Sequence, residues 1–174
     1  MEDVQSRGRR HPPMGSDYFI FPKTMFEDIP AFALGRAGWD NWMIYAGRRA
    51  RIPVVDANEA ITVVHQNHDY HHLPNSQPHY HLPESLHNIE LGGGRETIFN
   101  LSDATWRMDQ KSLLWNSPLR IGITRWAETE CISRFGPGRL TRMIMRFLHP
   151  IQTLLWLTNS IWRRLKPGEA ASDK

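Results

Sequence analysis

At 174 residues with 40% hydrophobic content, the chain is long enough to bury one real core and short for two, so a single domain with tails is the expected plan. Its 21 basic residues are interspersed with 18 acidic ones except near the two ends, which argues against a dedicated nucleic-acid surface. The lone Cys131 excludes an internal disulfide or a thiolate zinc site, and the first residues lack the apolar stretch of a secretory signal, so a reducing, cytoplasmic setting is expected.

Residues 1–14 are mostly polar and carry Arg7, Arg9, Arg10, Pro12 and Pro13, a composition that favours extended chain and reads as a tail. From Asp17 the pattern turns aromatic and β-branched. Asp17 to Phe21, closed by Pro22, predicts a short buried strand, and Thr24 to Asp28 one helical turn. After Gly38, apolar Trp39, Trp42, Met43 and Ala46 recur at helical spacing. Arg48, Arg49 and Arg51 follow in the last turn, where cations suit the helix dipole, and a helix over 39–51 is expected. Pro53 to Val55 and Ala60 to Val64 read as strands separated by the turn-forming Asp56 to Asn58.

The stretch 65–87 holds seven of the nine histidines together with Pro74, Pro78 and Pro83, which predicts a long loop ending in a short helix from Pro83. Gly92 to Gly94 marks a turn, Thr97 to Leu101 a further strand and Ser102 a helix N-cap. Residues 102–138 read as a connecting segment that breaks at Phe135 to Gly138. Leu140, Ile144, Phe147, Ile151, Leu154, Ile161 and Leu165, with arginines clustered toward the ends, predict a pair of amphipathic helices over 139–166, restarted at Pro150, with 167–174 as a tail. His149, Pro150, Gln152, Thr153 and Asn159 interrupt this run, which falls short of the roughly 20 apolar residues a membrane-spanning helix needs. Packing on the domain, on a membrane surface or on a partner helix would each use its apolar side.

Gly15-Ser-Asp-Tyr-Phe-Ile-Phe-Pro22, Gly35-Arg-Ala-Gly-Trp-Asp-Asn-Trp42, Pro53-Val-Val-Asp56 and Val64-His-Gln-Asn-His-Asp-Tyr70 occur in an order and spacing of their own. The layout, from Gly15 to Tyr70, resembles the acceptor-side half of GT-A type, family-two-like nucleotide-sugar glycosyltransferases, and implies a glycosyltransferase-like half over residues 15–101 that includes the histidine-rich loop. In that family an acidic motif opens a helix and a histidine ends the following strand. Gly38-Trp-Asp40 and His65 stand at those places. The resemblance implies an α/β fold, an incomplete GT-A-like sheet with helices, trailed by the C-terminal amphipathic segment. It implies Asp40 as catalytic base, His65 as ligand of a divalent metal (Mn or Mg), and Trp39, Asn41 and Asp17 as substrate-binding residues. Its implied partners are a nucleotide sugar and a glycan or other hydroxyl acceptor.

The chemistry is consistent with those roles. A hydroxyl attacking a sugar must lose its proton, and a carboxylate at a helix N-terminus is held in place and kept ionised by the dipole. The departing nucleoside diphosphate carries charge that a cation can neutralise. Asp40 would equally serve as a first-turn helix acid, and His65 as a hydrogen-bonded strand-end histidine. The family's Asp-x-Asp motif occurs nowhere in the sequence, so a truncated or split enzyme, with the donor-binding half as a partner, is expected. Two other classes stay open: a metal-binding protein built on His65, His68, His71, His72, His79 and His81, and a non-catalytic interaction or membrane-peripheral module.

Overall fold

The computed structural model describes residues 6–65 and 79–150. Helices and a small sheet make up a mixed α/β architecture, and the chain divides into two compact units, Met1–Pro137 and Gly138–Lys174. In the first unit, helix α1 (Trp39–Arg49) is followed by strand β1 (Val55–Asp56) and helix α2 (Pro83–Leu91). Strands β2 (Trp106–Met108) and β3 (Leu113–Trp115) and helices α3 (Pro118–Ile121) and α4 (Ile123–Phe135) complete it. The second unit contains α5 (Arg139–Leu148).

The sheet runs β1-β2-β3, with β1 parallel to β2 and β2 antiparallel to β3. Val55 is in register with Trp106, and Trp106 with Trp115. The β2–β3 turn is closed by Asp109, whose Oδ1 accepts the backbone N–H groups of Lys111 and Ser112 at 2.7 Å each. Those bonds stabilise the ionised form and hold its pKa below the ordinary carboxylate value.

The core lies between α1 and α4. Met43, Ile44 and Tyr45 of α1 and Cys131 and Ile132 of α4 are buried with Phe99 and Ala104. Phe99 has no exposed surface, and the Tyr45 ring meets it edge-on at 5.5 Å between centroids. The guanidinium carbons of Arg48 and Arg125 stand 5.8 and 5.7 Å from the same ring centroid. Both arginines are matched by acceptors. Arg48 donates to the Asp103 carbonyl at 2.7 Å, the Thr129 hydroxyl at 3.1 Å and the Glu130 carboxylate. Arg125 grips the fully buried Asp103 carboxylate through two N–H groups, at 2.8 and 2.6 Å. Burial still pushes the Arg48 pKa down, against the pull of Glu130 and Asp103.

Several elements differ from the sequence expectation. Asp17 to Phe21 has irregular backbone instead of a buried strand, with Tyr18 72% and Ile20 90% exposed. Aromatic and β-branched content favours a strand only where a ladder partner is engaged, and this segment pairs with none of β1, β2 and β3. For the same reason Ala60 to Val64 carries no strand, and Ile61, Val63 and Val64 stay exposed. Thr97 to Leu101 is framed by two short 3₁₀ turns, Arg95–Thr97 and Leu101–Asp103. The second turn is capped by Asn100 instead of Ser102: the Asn100 side chain accepts from the Ser102 N–H at 2.8 Å and Asp103 reaches back to the Asn100 N–H at 2.9 Å. Residues 102–138, expected to connect, supply two of the three strands and a core helix. The expected helix over 39–51 ends two residues sooner, because Arg51 takes the left-handed conformation at φ 61°. The second of the two expected C-terminal helices lies outside the described residues.

Candidate functional site

The site is built around the start of α1. Its N-cap is Gly38 at φ 104°, and a Cβ there would lie 3.3 Å from the Ile89 side chain, so conformation and close packing both call for glycine. The chain leading into it is held by α2. The Asn88 side chain, fully buried, accepts the Ala33 N–H at 2.8 Å and donates to the Ala33 and Ala37 carbonyls at 3.0 and 3.2 Å. Ser85, one turn earlier, accepts the Ala37 N–H at 3.3 Å. One helix distant in sequence, α2, thereby fixes where α1 begins.

Asp40 falls in the first turn of α1. Burial raises its pKa above the ordinary 3.8, opposed by hydrogen bonds from the backbone at Asn41, Ser16, Asp40 itself and Gly38. The bond from Ser16 brings the N-terminal segment against α1. Asp17 comes next, and its Oδ2 lies 3.0 Å from His65 Nδ1, with the two side chains 47% and 51% exposed. The structure thus joins two of the residues expected at the site, Asp17 and His65, across 48 positions of sequence.

Trp39 and Asp17 line a groove of about 550 Å³ together with Tyr18, Phe19, Phe32 and Met43. The Trp39 ring lies 5.7 Å from that of Phe19, tilted 58°. The groove is apolar and aromatic with Asp17 as its acidic member, a lining suited to the faces of sugar rings or of apolar acceptor groups.

Asn41 has a different place. It is buried, and its amide donates to the Phe99 carbonyl at 2.6 Å and the Met14 carbonyl at 3.1 Å. The side chain ties the N-terminal segment and the 97–101 stretch to α1 and does not line the groove.

Among the described residues, no three His, Cys, Asp or Glu side chains converge as a metal site. Asp17 and His65 supply two donors that are hydrogen-bonded to each other, so a divalent cation bound here would draw further ligands from outside them. His68, His71 and His72 lie outside the described residues, while His81 and His87 are exposed.

Ser16, Ser85 and Asn88 position the site and were not marked by the sequence. Asn88 sits among ordinary helix residues, and its partners are more than 50 positions away. The aromatic run Tyr18 to Phe21, read as core strand, is the visible signal of the groove wall. No protein-family model, curated protein or solved structure matches the chain.

Proposed function

We propose that this chain provides the acceptor side of a glycosyl transfer from a nucleotide-activated sugar to a hydroxyl, within a GT-A-like α/β arrangement. One observation carries the reading: a half-buried carboxylate, Asp40, stands at a helix N-terminus with its pKa raised by burial, next in sequence to Trp39 of the groove but not itself in the groove lining, and bonded to the residue that precedes Asp17. A raised pKa makes the carboxylate a better proton acceptor in its ionised form. Asp40 takes the acceptor hydroxyl proton as that oxygen bonds to the anomeric carbon, and the bond to the nucleoside diphosphate breaks with its electron pair.

Trp39 and the neighbouring aromatics orient the acceptor, and Asp17, held by His65, hydrogen-bonds its hydroxyls. A divalent cation of the family kind would neutralise the leaving diphosphate, with His65 as one ligand and the others from a donor-binding half. The nucleotide itself is held by residues outside this sequence.

The test is in two parts. Saccharide acceptors titrated into the purified chain should quench indole fluorescence saturably, and Trp39→Ala should abolish the response. In the enzyme completed with a donor-binding half, Asp40→Asn should lower kcat roughly a hundredfold or more with acceptor affinity and folding retained. A fully active Asp40→Asn enzyme would remove Asp40 from the chemistry. Absence of saccharide binding to the intact chain would remove the acceptor-side reading.

A further inference from the structure

Helix α5 has three distinct sides, and they are unlike each other. Leu140, Met143 and Phe147 follow at i, i+3 and i+7, so they form one stripe, and they are 49%, 52% and 79% exposed. Arg139, Arg142 and Arg146 repeat the same spacing on an adjoining stripe, and all three are exposed. Thr141, buried, and Leu148, half-buried, occupy the remaining side. An exposed phenylalanine, methionine and leucine in line make an apolar stripe of the kind that marks a contact surface, and a cationic stripe beside them narrows what can cover them.

We propose that α5 is a membrane-surface helix, lying in the plane of a bilayer that contains anionic lipid. The apolar stripe inserts among the acyl chains just below the headgroups, and the three arginines reach the phosphates alongside. Charge selects this occupant over an apolar protein groove. From Arg139 to Lys166 the sequence has six basic residues, Arg139, Arg142, Arg146, Arg163, Arg164 and Lys166, and no acidic one. The same run carries Trp156 and Trp162, a residue type that favours the headgroup boundary. At 10 residues α5 is far too short to cross, and among the described residues no helix is long and apolar enough to do so. This inference does not depend on the glycosyl-transfer reading.

Cosedimentation of the full chain with vesicles tests it. The chain should pellet with phosphatidylcholine vesicles containing about one third phosphatidylserine, much less with pure phosphatidylcholine, and be released by high salt. Met143→Asp with Phe147→Asp should weaken binding about tenfold or more. Arg139→Gln, Arg142→Gln and Arg146→Gln together should weaken it about a hundredfold and flatten the salt dependence. Far-UV circular dichroism should be the same for all three proteins, since the substituted positions are exposed. The proposal is overturned if the intact chain ignores anionic vesicles, or if neither variant changes binding. Light scattering that shows a dimer dispersed by Phe147→Asp, with no vesicle binding, would instead assign the stripe to a second copy and overturn it as well.

Discussion

Asp40 is pulled in two directions, since burial favours its protonated form while a proton acceptor has to be ionised. Its folded pKa lies above the unfolded 3.8, so between those two values the folded state binds the extra proton and stability falls as pH rises. Above the folded pKa the ionised carboxylate is a standing cost to the fold. Asp40→Asn, which has no charge to desolvate, is therefore expected to be more stable than the parent at neutral pH, with the advantage gone below about pH 3.8. Urea melts at a series of pH values measure this, and equal stability at neutral pH would show that the carboxylate is not under strain. Catalytic turnover should run the other way, rising with pH as Asp40 ionises. Asp40 was legible in the sequence because a glycine and an acid at a helix start form a local pattern. Asn88 was not legible, because an asparagine within a helix shows nothing of the backbone it will hold 55 residues away.

The elements show the same division between local and distant causes. Helix α1 could be read directly, since Trp39, Trp42, Met43 and Ala46 recur at its period and arginines close it. Helix α4 could not. It buries Glu128, Thr129 and Ser133 beside Cys131 and Ile132, so no apolar stripe marks its inner face, and the donors that make this tolerable for Thr129 and Glu128 come from Arg48 and Arg125. Pro53 to Val55 overlaps β1 at Val55, but the other strands were misplaced because two- and three-residue strands are set by pairing, which the Trp106 to Trp115 register determines and propensity does not. Where α1 starts is a single-residue matter with an effect on the whole helix. Gly38→Ala adds a Cβ 3.3 Å from Ile89 at a left-handed φ, and should lower stability by about 1–2 kcal/mol, read by thermal or urea melts. An unchanged melt would mean that the chain before α1 can relax without penalty.

For the whole molecule, the division at Pro137 and Gly138 coincides with Phe135-Gly-Pro-Gly138, a break that glycine and proline made visible in the sequence. Trypsin is a selective probe of it, because no lysine or arginine occurs between Arg51 and Arg95, which leaves the histidine-rich stretch uncut. Early cleavage is expected at Arg139 or Arg142, apart from trimming at Arg7 to Arg10, with the rest of the first unit resistant. Cleavage at Arg95 or Arg107 before Arg139 would show that the first unit is the weaker of the two. The long reach of the bonds around α1 also bears on how the protein is made. Asn41 waits for Phe99, the segment before Gly38 for Asn88, and Arg48 for Asp103, Thr129 and Glu130. On a ribosome adding about 5–20 residues per second, Asp40 is synthesised on the order of ten seconds before the last of these partners. Until Asn88 and Phe99 emerge, the nascent chain carries the aromatic groove wall without the contacts that will fix it, which makes the growing polypeptide, more than the finished one, the form that exposes this apolar surface.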